Sequence, residues 1–195
     1  MDIFGTFQEI VINRRTIKPT SFNGKRIDDL QINQLLELAN WAPSHGLTEP
    51  WRFIVYSGAA VRGFCHQHAE LYRQITPPEK FTDAKYEKQA QNGDLASHLI
   101  VIFMQRGNNP NIPALEEICA TAAAADNILL GAEALGIATM WSTGGAVLQP
   151  IMKEYLRLGP EDVILGLLYL GYSDEPRRPG KRTPITDKTK WVTAL

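Results

Sequence analysis

The chain has 195 residues, 44% hydrophobic and 21% charged, with 20 Lys and Arg against 21 Asp and Glu. That length supports a packed core without disulfides or metals and fits one domain, residues 1–195. The near-neutral balance excludes the broad positive field of a general nucleic-acid binder, and the composition excludes a disordered or membrane-embedded chain.

The first segment carries Ile3, Phe4, Phe7, Ile10 and Val11 at 0, 1, 4, 7, 8, one helical stripe that stops before Asn13-Arg14-Arg15-Thr16. Nothing in Met-Asp-Ile-Phe resembles the basic and apolar regions of a secretory leader. Pro19 and Gly24 mark a loop, and Asp28 is placed to cap a second helix through Ile32, Leu35, Leu36 and Ala39. That helix must end near Pro43. Trp51 to Tyr56 is β-rich and closes at Ser57-Gly58. Ala59 to Arg73 has mixed helical spacing, and residues 76–94 read only as a polar surface excursion.

His98 to Met104 is nearly continuous in apolar residues, as a strand covered on both faces would be, and far too short to span a bilayer. Ala114 to Leu135 gives the longest helical pattern, rich in Ala and Gly131, and Gly136 fits its C-terminal cap. Glu116 and Glu117 read as a solvated helix start. Ile137 to Trp141 and Val163 to Leu170 predict two more strands, with a short helix between them from Gln149 or Pro150 to Leu158. Cys65 and Cys119 form no zinc or disulfide spacing, which suits a reducing, cytoplasmic compartment. The tail, residues 172–195, has three prolines and six basic residues against three acids, and needs a partner surface or an anion to order it.

Three segments have the residue types for ligand chemistry. Arg14, Arg15 and Thr16 at a helix end suit a phosphate, with planar guanidinium forks and a hydroxyl donor; the plainer reading is complementation of the helix dipole. Ala42-Pro43-Ser44-His45 to Pro50-Trp51 is a stiff loop of the kind that walls ligand sites, and His45 is its one group that titrates near neutral pH. Trp141-Ser142-Thr143-Gly144-Gly145 follows a strand, where hydroxyls and glycines let backbone N–H groups approach a ligand; a tight turn is the simpler alternative. His66 and His68, two apart, would lie on different sides of a helix, so a metal site is not expected; there is also no nucleophile elbow and no dinucleotide-binding glycine fingerprint.

Taken in this order over the whole chain, the three segments resemble the nitroreductase family of FMN-dependent oxidoreductases. Arg14-Arg15-Thr16 is similar to the family's Arg-Arg-Ser, which holds the flavin phosphate and ring edge. Ala42-Pro43-Ser44 with Pro50-Trp51 resembles its Ala-Pro-Ser to Gln-Pro-Trp segment, which reaches the flavin of the other subunit. Trp141-Ser142-Thr143-Gly144 matches the turn against the ring, and Arg182 in the tail stands where a basic residue completes the phosphate site. The resemblance implies an α+β three-layer sandwich and an intertwined homodimer with FMN sites at the interface. It implies electrons from NADH or NADPH, passed in ping-pong fashion to nitroaromatic, quinone or similar acceptors. Trp41 and His45 would line the cleft from the second subunit, and no side chain need act as nucleophile. A flavin carrier, or an FMN enzyme with a specialised substrate, is the alternative. Leu47 and Glu49 depart from the family's Asn and Gln, a change that falls on substrate range.

Overall fold

The computed structural model describes residues 2–194. Its elements are α1 (Ile3–Asn13), α2 (Asp29–Asn40), β1 (Trp51–Ser57), α3 (Ala59–Ile75), α4 (Asp83–Gln91), β2 (His98–Met104), α5 (Ala114–Ala134), β3 (Ala138–Ser142), α6 (Pro150–Tyr155) and β4 (Val163–Gly171). The strands form one sheet in the order β1-β2-β4-β3, and every pairing is antiparallel. Both central strands are the apolar runs of the sequence, and every residue of β2 is buried.

Period-two alternation divides the sheet's side chains between two cores. Ile100, Ile102, Leu168 and Leu170 pack against α2 and α5. Leu99, Val101, Leu167 and Tyr169 face α3 and Met152 of α6. The architecture is thus an α+β sandwich of helix, sheet and helix layers. Small residues let α5 pack closely on α2: a Cβ at Gly131 would come within 2.6 Å of Leu38 Cδ1.

Local chemistry sets the ends of the helices. The Asp28 carboxylate accepts from the Leu30 N–H at 2.9 Å and starts α2. Gly136, at φ 70°, ends α5. The excursion at 76–94 holds α4, a helix with only Ala90 buried. It is fastened to α3 by aromatic contacts, Phe81 stacking on Tyr72 with ring centroids 5.7 Å apart, and by a hydrogen bond from the Tyr86 hydroxyl to Glu70.

One helix stands out and one expectation changes. The α1 stripe forms a helix as its spacing predicts, but none of its residues is buried; Ile3 is 77% exposed and Phe4 74%. Glu117 is not solvated. It is buried, paired with the Arg106 guanidinium, and accepts from the Gly107 N–H at 3.2 Å. Neighbouring residues on a helix point about 100° apart, so Glu116 meets solvent while Glu117 meets the β2–α5 connection.

Candidate functional site

The end of α1 is joined to β3. The Ile17 N–H donates to the Thr139 carbonyl at 2.9 Å, and Thr16 bridges Thr139 in parallel. Arg15 then ties the helix end to the tail. Its Nη1 donates to the Ile12 and Arg14 carbonyls at 2.6 and 2.7 Å, and its Nε to the Arg178 carbonyl at 3.0 Å. A hollow of about 420 Å³ opens here, lined by Arg15, Thr16, Lys18, Ser21, Arg177 and Arg178. Arg177 also pairs with Glu133 of α5, and burial together with the nearby Arg15 charge holds its guanidinium below the usual range. Arg14 is half-buried and outside this lining. Arg182 lies on the exposed tail and donates to the Lys181 carbonyl; the tail cations that line the hollow are Arg177 and Arg178. Gly180 is packed so closely on Arg15 that a Cβ there would come within 2.2 Å of Nη2.

A second cavity of about 380 Å³ adjoins the first, sharing Lys18 and Thr20 with it. Ser142, Gly144 and Gly145 form its wall at the end of β3, opposite His68, Tyr72 and Gln89. Gly145 has φ 68°, and a Cβ there would come within 2.1 Å of Gln89 Oε1, so the turn requires glycine twice over. The Ala146 N–H donates to His68 Nε2 at 3.2 Å, which places the imidazole proton on Nδ1. Burial pushes the His68 pKa down to about 4, opposed in part by a Gly144 backbone contact, so the ring is neutral. His68 Nδ1, the Tyr72 hydroxyl and Gln89 Oε1 are buried with no hydrogen-bond partner. Three such atoms around one cavity call for a ligand or water.

Trp141 has another role. Between Ile102 and Phe103 the β2–β4 register slips by a bulge, leaving Leu165 unpaired, and the Trp141 indole N–H donates to the Leu165 carbonyl at 2.9 Å. The indole fills the space beside Gly166, fixing the end of β3 on which Ser142 to Gly144 stand. Thr143 is exposed on that turn.

The other predicted segment lies elsewhere. Pro43, Ser44 and His45 wall an open cleft of about 420 Å³ with Leu115, Glu116 and Cys119 of α5. His45 Nδ1 is 2.6 Å from Glu116 Oε2. Trp41 is 79% exposed, its indole N–H donating to Glu37 one turn back. Leu47 is 83% exposed. The two segments are thus tied to opposite ends of one helix: His45 to Glu116, and the Arg15 hollow, through Arg177, to Glu133. Seventeen residues at 1.5 Å each separate those glutamates by about 25 Å.

Lys18, His68, Tyr72, Gln89, Arg177 and Arg178 were not among the candidates read from sequence. For Arg177 and Arg178 the signal was the basic tail as a whole, and for His68 and Tyr72 it was their i, i+4 spacing, which puts both on one face of α3.

The sequence profile of the nitroreductase family matches residues 11–172. The chain belongs to this family. Among the family's proteins, YfhC of Bacillus subtilis, named as an NAD(P)H nitroreductase, is 25% identical over 181 residues, covering 93% of this chain and 91% of YfhC. A nitroreductase-like family protein from Bacillus cereus has the same fold at TM-score 0.80, with 26% identity and full coverage of both chains. A protein from Desulfovibrio desulfuricans, named as a nitroreductase and crystallised with FMN, gives TM-score 0.74 at 21% identity, covering 97% of this chain and 98% of its own. The FMN-dependent nitroreductase NfnB of Mycobacterium smegmatis, in complex with NADPH, gives 0.73 at 18%, covering 98% and 100%. This nitroreductase-family chain has no helix, among the described residues, long and apolar enough to cross a membrane.

Proposed function

We propose that the chain is a cytoplasmic, homodimeric FMN oxidoreductase of one domain, residues 1–195, that passes electrons from NADH or NADPH to nitroaromatic, quinone or similar acceptors. The observation that carries the reading is the pair of adjoining cavities, one walled by guanidiniums and one by unpartnered buried polar atoms. FMN has a phosphate dianion at one end and a flat ring with a polar edge at the other, and the residues present fit both. Arg15, Arg177, Arg178 and Lys18 would neutralise the phosphate, with the Thr16 hydroxyl beside them. His68 Nδ1–H, the Tyr72 hydroxyl and Gln89 would meet the polar edge of the ring, and Ser142 to Gly145 would lie along it.

FMN, when bound, supplies the hydride chemistry, which is the cofactor's own. The chain's part is to hold the ring, exclude water and place positive charge near it. Lys18 stands between the two cavities and favours added negative charge there. NAD(P)H and acceptor would use the same open cleft in turn, which predicts ping-pong kinetics. The names of YfhC and NfnB support the choice of electron donor.

Dimerisation supports the same reading. With Glu133, which anchors the Arg15 hollow through Arg177, and Glu116, which anchors His45, about 25 Å apart along α5, one chain does not bring both segments to one ring, whereas a second copy can supply the missing half. The exposed apolar face of α1, with Trp41 and Leu47, gives that copy a surface to cover.

The deciding measurement is the absorption spectrum of the purified protein, before and after anaerobic NADH or NADPH. A yellow protein that bleaches supports the reading. A protein that stays colourless when FMN is supplied overturns it, and flavin that binds but does not bleach marks a carrier. Arg15→Ala should weaken FMN binding by about one to two decades, for a charge-assisted contact of about 1.5–3 kcal/mol at 1.4 kcal/mol per decade. Arg182→Ala should change it less than about threefold, both variants being read by titration of flavin fluorescence.

A further inference from the structure

The loop from Ser44 to Glu49 is fixed in a conformation that most residues avoid. Leu47, directly after Gly46 at φ 59°, has φ 54°, and Glu49 beyond Thr48 has φ 41°. Non-glycine residues in this region cost about 1–3 kcal/mol each and persist where surrounding structure imposes them, often at functional sites. Here the imposing contacts are visible. Pro43 and Pro50 bracket the loop. The Thr48 N–H donates to the His45 carbonyl at 3.3 Å, the Glu49 N–H to Ser44 Oγ at 3.4 Å, and Arg52 Nη1 to the Glu49 carbonyl at 2.8 Å.

His45 projects from this loop into the cleft beside α5 and is held a second time by Glu116. A carboxylate only accepts hydrogen bonds, so at 2.6 Å the shared proton sits on Nδ1. The second ring nitrogen, Nε2, is then the one available to a molecule in the cleft. A histidine whose Nδ1–H is held by a carboxylate has a fixed tautomer and a fixed ring plane, the arrangement that proton transfer requires. The rest of the cleft is Pro43, Leu115, Ala120 and Ala123 with Ser44 and Cys119 among them, a low and mostly apolar wall suited to a flat conjugated molecule.

We propose that Glu116 is a positioning residue that orients His45, and that protonated His45 donates from Nε2 to the oxygen of a quinone-class acceptor as that acceptor is reduced. The inference rests on the flavin-enzyme reading above. The reaction balances: the quinone gains a hydride, carrying two electrons that originate in NAD(P)H, and one proton from Nε2–H. It leaves as the hydroquinone, and the imidazole regains its proton from water. The other ionisable groups at the cleft are Glu116 itself and Cys119 of α5, with Glu49 in the same loop; Glu117 is committed to Arg106 on the other side.

The test uses the full-length FMN-loaded protein, with menadione as the quinone. Wild type, Glu116→Gln, His45→Phe and the double variant are compared by stopped-flow reoxidation of the reduced enzyme across pH, and by ¹⁵N NMR of the histidine rings. In the wild type the His45 signal should show the proton on Nδ1. In Glu116→Gln it should show mixed tautomers, with a reoxidation pH profile that differs from the wild type's. His45→Phe should slow reoxidation about 100-fold, the lower range for a positioned general acid. Glu116→Gln should slow it about tenfold, and the double variant should be no slower than His45→Phe alone. Wild-type tautomer and pH profile in Glu116→Gln, or additive losses in the double variant, would overturn the inference. Wild-type enzyme that fails to bleach with NAD(P)H overturns instead the reading on which it rests.

Discussion

Tyr72 and His68 show how single side chains record the demands of a ligand. The Tyr72 hydroxyl is buried and unpartnered, a state that costs about 1–3 kcal/mol. Tyr72→Phe should therefore stabilise the FMN-free protein by about 1 kcal/mol in urea melts, while weakening FMN binding. Loss of stability in that variant would show that the hydroxyl already has a partner. His68 carries a pH signature. Its folded pKa is about 4 against about 6.5 unfolded, so between those values the unfolded chain binds more protons. Its contribution to stability is complete above pH 6.5 and is lost as pH falls towards 4, by about 3 kcal/mol at most. Burial lowers His98 in the same direction, so His68→Gln should flatten that acid limb only in part, as read by urea melts at pH 4.5 and 7. Neither role was legible in the sequence. His68 can be seen there to share a face with Tyr72, but the depth of that face comes from α4 closing over it. The choice among tail arginines was equally hidden: Arg177, Arg178 and Arg182 look alike until Arg15 bonds the Arg178 carbonyl and Gly180 packs beneath it.

Among the elements, those with their own periodic signal were readable and those defined by a neighbour were not. The continuous apolar runs of β2 and β4 and the capped stripe of α2 follow from local pattern alone. The polar helix α4 gave no stripe because it is fastened to α3 by Phe81, just before it, stacking on Tyr72, and by Tyr86 bonding Glu70. Helix α5 shows the same limit inside one element. Its length and small residues are plain in sequence, yet the fate of Glu117 depends on Arg106, eleven residues away. Removing one partner of a buried ion pair costs about 3–5 kcal/mol, because the other charge is left uncompensated. Glu117→Ala should lower stability by that order in urea denaturation. A loss below about 1 kcal/mol would mean that Arg106 finds water instead.

For the whole molecule, the sandwich leaves one conspicuous surface without a partner. The α1 stripe has an amphipathic pattern and is exposed in the chain, so it is a surface that the proposed second copy would cover. Sedimentation should find a dimer for the wild type. Phe7→Asp, which places a charge on that stripe, should shift it towards monomer and weaken FMN binding with it. A monomer that retains FMN would separate the fold from the proposed assembly.

In the proposed dimer helix α5 would act as a spacer, and a spacer that keeps two halves of a site apart makes each copy a donor to its neighbour. Two defective chains, one lacking Arg15 and the other lacking His45, would then repair each other when co-expressed: in the mixed pair one pocket inherits both lesions and the other inherits none. Half-restored turnover from two individually impaired parents is a result that a self-sufficient subunit cannot give.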